Sequence, residues 1–328
     1  MKSLRKVAVL LPLGAANLNC IEGSVKAFET ANVFLKERRE QALFDVRLLG
    51  LTKEPQRYDR SFLVEPDESL NAATQFDLII IPPVNGDWKN VIAENEKFFP
   101  WICQQYASGA EVASLCVGAF LLAATGLMNG KRCSTHWLGE GDFRLLFPEV
   151  DLVADKIITD EKGLYSSGGA LSFWNLLLYL IGKYANRELA IQLAKYFEIE
   201  IDRFSQSSFI MFRGQKEHAD TGIKKVQEYI EANFQERLTV EQLADMSGMG
   251  RRSLERRFKK ATHNTVIEYI QRVKIEAAKK SFESSSKNVA QVMYEVGYHD
   301  DKSFRLIFRK IAGLSPLEYK NRYNSRLS

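Results

Sequence analysis

Residues 239–323 carry one pattern written twice, and this duplication restricts the fold more than any other feature of the chain. The first copy reads TVEQLADMSGMGRRSLERRFKKATHNTVIEYI from Thr239; the second reads NVAQVMYEVGYHDDKSFRLIFRKIAGLSPLEYK from Asn288. From Ser253 onward equivalent residues lie fifty apart: Ser253 with Ser303, Phe258 with Phe308, Glu268 with Glu318, Tyr269 with Tyr319. Before that the separation is forty-nine, as in Val240 with Val289 and Gly248 with Gly297. An insertion confined to a turn marks a duplicated supersecondary unit.

Each copy reads as helix, tight turn, helix. Val240, Leu243, Ala244, Leu254 and Phe258 fall at helical spacing, and Gly248 stands where a helix ends in a left-handed residue. Val289, Val292, Met293, Gly297, Phe304, Ile307 and Phe308 repeat the scheme. This is the helix-turn-helix plan, whose second helix enters the DNA major groove. That helix carries Arg251, Arg252, Arg256, Lys259 and Lys260 in the first copy, and Lys302, Arg305, Arg309 and Lys310 in the second. A solvated charged face on an ordinary helix pair is the plain alternative, but a basic face on the same helix of both copies argues against it.

Charge supports a nucleic-acid partner. The net charge of +4 divides unevenly: residues 221–328 hold 21 Lys and Arg against 13 Asp and Glu, a net +8, which leaves −4 for residues 1–220. A basic module on an acidic body is the electrostatic footprint of a DNA binder, because phosphate neutralisation supplies most non-specific affinity. Cys20, Cys103, Cys116 and Cys133 form no CxxC pair and no cluster with the four histidines, so neither a disulfide framework nor a metal site is expected. No long apolar stretch suggests a membrane span and the N-terminal run is too short for a signal peptide; a cytoplasmic chain with reduced thiols is expected.

Ahead of the repeat, strand and helix signals alternate. Residues 6–13 (KVAVLLPL), FDVRLLGL, 77–83 (DLIIIPP) and GAEVASLC read as buried strands; residues 23–39, with Val25, Phe28, Ala31, Val33 and Leu35, and residues 98–106 read as helices. A small-residue helix, VGAFLLAATGL, follows the fourth strand. Beyond His136 come a helix, a hairpin (KIITDEKGLYSSG) and two apolar helices at 170–184 and 187–199. This predicts a mostly parallel sheet covered on both faces. Residues 202–222 break all periodicity and read as a linker, with Phe209, Ile210 and Phe212 marking a part that packs back onto a domain.

SLCVGAF places Cys116 between a strand and a helix, the setting of a nucleophile elbow, where a helix N-terminus is expected to lower a thiol pKa. CSTHW supplies His136 as a candidate base. From the residues alone, a buried thiol and a hydrogen-bonded histidine is the favoured reading.

Residues 223–322 resemble the DNA-binding domain of AraC-type transcription regulators, most specifically through GYHDDKSFRLIFRKIAGLSPLEY. The resemblance implies that Arg252, Glu255 and Arg256 face base edges in one half-site and Lys302 and Arg305 in the next, with Lys259, Lys260 and Lys310 on phosphate. Leu306 stands where that family often has arginine. Residues 7–197 resemble the PfpI-like relatives of class I glutamine amidotransferases through SLCVGAFLLAATGLMNGKRCSTHW, GSVKAFETAN and LYSSGGALSFWNLLLYLI. Here the resemblance implies an elbow Cys116 partnered by His136, and puts Cys20, with Glu22 nearby, where enzymatic relatives have an acid. PPVNG replaces a glycine pair that supplies oxyanion donors, and Pro83 has no N–H to give.

The expected architecture is therefore an α/β flavodoxin-like doubly wound domain at 1–201, a linker at 202–222, and an all-α domain with two helix-turn-helix units at 223–328. The expected function is DNA-binding transcription regulation without catalysis and without a cofactor. A small-molecule effector, with nitrogenous metabolites as the class to test, would bind near Cys116, His136, Cys20, Glu22, Asn85, Gly86 and Val117. The expected partners are double-stranded DNA, a second copy in a homodimer, and RNA polymerase if the protein activates; residues 170–199 are the candidate dimer interface, with burial inside one domain explaining their apolar character nearly as well. An active cysteine hydrolase, amidase or hydratase with a DNA-binding tail is the alternative.

Overall fold

Strand β1 (Arg5–Leu10) is apolar from Val7 onward, and a strand without a polar side must be covered on both faces. The computed structural model, which describes residues 3–58, 61–169, 171–201, 203 and 205–324, places β1 inside a sheet of seven strands. The others are β2 (Phe44–Gly50), β3 (Glu68–Ser69), β4 (Leu78–Ile81), β5 (Glu111–Ser114), β6 (Ile158–Glu161) and β7 (Leu164–Ser167). Their order is β6-β7-β5-β4-β1-β2-β3, parallel except for the β6–β7 hairpin at one edge. Among the described residues, seven α-helices accompany the sheet: α1 (Leu18–Glu37), α2 (Trp88–Glu94), α3 (Phe98–Ala107), α4 (Ala119–Ala124), α5 (Glu140–Leu146), α6 (Ser172–Tyr184) and α7 (Arg187–Tyr196). Helices α1, α6 and α7 pack on one another over one face, and α2, α3 and α4 over the other. This doubly wound unit spans Met1–Gln206.

Three expectations need correction here. Helix α1 starts at Leu18 rather than at Gly23, because the Asn17 side chain accepts the Cys20 N–H at 3.3 Å and so caps an orphan donor. Val33 lies off the inward stripe and is 53 % exposed. The helices proposed as a dimer face bury Leu176, Leu177, Leu180, Ile181, Leu189 and Leu193 completely within their own unit, leaving only residues such as Tyr179 and Tyr196 exposed. Ala170, expected to open α6, lies outside the described residues.

The second unit, Ser207–Ser328, contains α8 (Thr221–Ala232), α9 (Val240–Met246), α10 (Arg251–Thr262), α11 (Val266–Ser284), α12 (Val289–Glu295), α13 (Asp301–Ala312) and α14 (Pro316–Tyr323). Its duplication extends to the hydrogen bonds. Thr239 with Gln242 and Asn288 with Gln291 form capping boxes at the starts of α9 and α12; Thr265 with Glu268 and Ser315 with Glu318 do the same for α11 and α14. Helices α10 and α13 both end in left-handed residues, His263 and Gly313. Two separate cores result. One gathers Ile223, Leu243, Leu254, Phe258, Val266 and Tyr269; the other gathers Ile275, Phe282, Val292, Phe304, Phe308 and Tyr319.

Much of the segment read as a linker lies on this second unit. The Ile210 carbonyl accepts from Lys279, the Phe212 N–H donates to Glu276 at 3.1 Å, and the Phe212 ring packs on Tyr269. Asp220 caps α8 and pairs with Arg257 at 2.6 Å. Asp202 and Phe204 of the same segment lie outside the described residues.

The two turn glycines are equivalent in sequence but not in surroundings. Gly248 (φ +64°) would put a Cβ into open space, whereas at Gly297 (φ +74°) it would sit 2.0 Å from the Gln235 carbonyl oxygen. Gly248→Ala is expected to cost about 1–2 kcal/mol of left-handed strain, and Gly297→Ala distinctly more. Hydrogen exchange of the α9 and α12 amides reads both, and an equal effect at the two sites would contradict the close approach.

Candidate functional site

The end of β5 builds the elbow. Leu115 donates its N–H to the Ile81 carbonyl, and the chain then turns sharply at Cys116, whose φ of +54° lies in the left-handed region. A single tight turn over Cys116–Gly118 leads into α4. Gly118 is required there, since a Cβ would stand 2.5 Å from the Ile81 oxygen; its role is close packing, and a larger residue would collide with backbone rather than fill a pocket. The Cys116 N–H donates to Ser167 Oγ at 3.1 Å and its carbonyl accepts from Thr135 Oγ1 at 3.2 Å.

The elbow geometry is present, but the expected thiol activation is absent. Cys116 is 7 % exposed, and burial pushes its pKa up to about 11, against a smaller opposing pull from the Val117 N–H. A turn followed by a six-residue helix is too slight a dipole to offset that desolvation. Cys20 is pushed up to about 12, by burial first and by the nearby Cys116 second. Burial pulls the His136 pKa down, and its Nδ1 accepts the Leu138 N–H at 3.1 Å, so the ring is neutral with its hydrogen on Nε2. Among the described residues no hydrogen bond joins His136 to the Cys116 thiol. The Pro83 carbonyl is taken by the Asn17 N–H at 2.9 Å.

One cleft takes in two of the expected effector residues. An open cleft of about 890 Å³ lies between the start of α1 and the hairpin of Gln56–Tyr58 and Phe62–Val64. Leu18, Ile21, Val25 and Phe62 give it apolar walls, and Glu22 and Asn85 line it with polar groups. Cys20, Cys116 and Val117 are buried away from that lining, while Gly86 and His136 do not contribute to it.

The second candidate site is the pair of basic helices. Leu254 and Phe258 turn α10 toward its core, and Phe304, Phe308 and Ala312 do so for α13. At 3.6 residues per turn the opposite faces carry Arg252, Arg256, Lys259 and Lys260, and Lys302, Arg309 and Lys310, all exposed. Arg252, Arg256 and Lys302 form no ion pair among the described residues. Arg251 is engaged by Glu241 and Glu255, and Arg305 by Asp301 at 2.7 Å.

A DJ-1/PfpI family profile matches residues 5–181. The chain belongs to this family. A helix-turn-helix domain profile matches residues 243–322, so the DJ-1/PfpI domain is followed by an AraC-type module. The transcriptional regulator GbdR of Pseudomonas aeruginosa is 26 % identical over 256 residues, covering 77 % of this chain and 68 % of that protein. The regulator CdhR of the same species is 23 % identical over 297 residues, covering 90 % of this chain and 87 % of the relative. The crystal structure of a putative transcriptional regulator from Vibrio parahaemolyticus shares the fold of the DJ-1/PfpI domain, with a TM-score of 0.53 and 20 % identity over 60 % of this chain and 99 % of that one.

One residue at the end of the first unit escapes sequence reasoning. Gln206, 1 % exposed, donates from its amide to the Thr135 and Ala154 carbonyls at 2.8 Å, and its Oε1 accepts the Gly169 N–H at 2.8 Å. It therefore holds together the loop that carries His136 and the loop after β7. Nothing in the aperiodic stretch around it signals this.

A thiol of this kind is expected to resist alkylation. Iodoacetamide should leave Cys116 largely unmodified between pH 7 and 9 and label it only as the pH approaches 11, with peptide mass spectrometry as the readout. Rapid labelling at pH 7 would mean that the thiolate is stabilised after all.

Proposed function

We propose that this chain is a DNA-binding regulator of transcription whose DJ-1/PfpI domain holds a small-molecule effector and performs no turnover. The observation that carries the reading is the duplicated helix pair, which exposes unpaired Arg252, Arg256 and Lys302 on the faces turned away from two independent cores. Two helices of this kind suit successive major-groove segments on one side of a duplex. The relatives named as transcription regulators and the net +8 of residues 221–328 support the same reading.

The enzymatic alternative, a cysteine hydrolase, amidase or hydratase, needs nucleophile, base and orienting group within hydrogen-bond reach. A protonated thiol, a histidine bonded elsewhere and a cysteine at the acid position all weigh against it. Binding asks for less: shape and a few polar groups suffice. The cleft beside α1 provides apolar walls with Glu22 and Asn85, which suits a small nitrogenous metabolite with an aliphatic body. A homodimer belongs to this reading, since each chain holds one two-part module and joining two chains raises avidity without new contacts. Contact with RNA polymerase follows where the regulator activates.

Base-edge and phosphate contacts separate by residue. Arg256→Ala should weaken binding to a selected operator by about 1–3 kcal/mol and relax preference at one base pair, whereas Lys260→Ala should weaken all sequences alike. Titrations of specific and random duplexes at fixed salt distinguish them. Equal losses on both duplexes for Arg256→Ala would remove its base-reading role.

A further inference from the structure

The face of α13 turned away from its core contains one residue that does not match its surroundings. The four positions on that face are Lys302, Leu306, Arg309 and Lys310; their equivalents on α10, fifty residues earlier, are Arg252, Arg256, Lys259 and Lys260. Every member of both sets is cationic except Leu306. At 69 % exposure it is more exposed than any other large apolar side chain among the described residues. It lies opposite Phe304 and Phe308, which are wholly buried, so no rearrangement of its rotamer could bring it into the core.

A single apolar residue on a surface is ordinary. Leu306 differs because it stands in the middle of a cationic stripe, one turn after Lys302 and one turn before Arg309 and Lys310. Long cationic side chains reach outward to phosphate, whereas a short apolar one in the same row meets whatever lies on the groove floor. In the major groove each base pair presents donors and acceptors, and only thymine adds an apolar group, its C5 methyl. A leucine there gains by covering that methyl. Against guanine or cytosine it would strip water from a polar edge and offer no hydrogen bond in return.

We propose that Leu306 reads a thymine methyl in the half-site bound by α13, while Arg256, at the equivalent place on α10, reads a hydrogen-bonding base edge. The assignment rests on the DNA-binding reading above. It makes the two halves of the module chemically unlike at their matched central position, so one chain binds its site in a single orientation.

The test uses the full-length chain and a duplex that it enriches from a random-sequence library. Each thymine of that duplex is replaced singly by uracil, which deletes only the C5 methyl. At one thymine the replacement should weaken binding by the unaltered protein about fourfold, the worth of one buried methyl. Leu306→Ala should bind the thymine duplex more weakly and show no response to uracil at that position. Arg256→Ala, used in parallel, should retain the uracil response. Because Leu306 is exposed, its alanine variant should keep the melting temperature of the parent, which separates lost contact from lost fold. If no thymine shows a response that depends on Leu306, the assignment is wrong and the DNA-binding reading stands. If no sequence is enriched at all, the DNA-binding reading fails and the assignment fails with it.

Discussion

The geometry of the DNA-binding unit depends on one helix being shared between two cores. Val266, Tyr269 and Ile270 turn the first part of α11 into one cluster, and Ile275, Ala278 and Phe282 turn its second part into the other. Helical periodicity places these faces roughly 150° apart. Lys274 sits at the changeover, buried, and donates to the Glu236 carbonyl at 3.3 Å and the Gly297 carbonyl at 3.1 Å, with the Tyr298 ring 5.4 Å away. Burial pulls its pKa down, while the carbonyls and the ring face favour the charge. One cation thus fastens the segment after α8 and the turn after α12 to the same rod. The separation of α10 from α13 follows from that rod, not from a flexible connection.

The first unit shows strain retained where activation is missing. A left-handed cysteine costs on the order of 1–3 kcal/mol. It persists because Ile81, Ser167 and Thr135 fix the turn by hydrogen bonds and Gly118 permits close approach to β4. Those constraints hold the backbone of an elbow whatever the protonation state of the sulfur. The thiol itself answers to desolvation, which here outweighs the local dipole. Elbow shape and nucleophile activation are therefore separable properties, since backbone constraints set the first and the surroundings of the sulfur set the second.

What was legible in the sequence was local or periodic. The apolar runs of β1 and β4 announce a covered sheet, and the repeat with its apolar spacing and turn glycines announces the helix pairs of the second unit. What stayed hidden depends on tertiary surroundings. The cap at Asn17 starts α1 at Leu18, ahead of the apolar spacing that begins at Val25. The pKa of Cys116 cannot be read from SLCVGAF, because burial by residues distant in sequence sets its sign. The cleft where Glu22 and Asn85 meet has the same origin: the Phe62 hairpin that bounds it carried no functional signal.

The connection between the units shows how a segment without periodicity can still be ordered. Lys279 and Glu276 form a buried pair at 2.9 Å on α11, and each also bonds the incoming backbone, at the Ile210 carbonyl and the Phe212 N–H. Taking two charges out of water is costly, and the pair is tolerable because its remaining hydrogen-bonding capacity is used by that backbone. Aromatic residues do the rest: Phe212 packs on Tyr269 in the first core, while Phe209 lies under Arg322 and the Tyr323 hydroxyl donates to the Ser208 carbonyl beside the second. The segment thereby touches both helix-turn-helix halves at once. Polar pairing with Glu276 and Lys279 and these aromatic contacts together explain the order, and neither member of the charged pair lies near the segment in sequence.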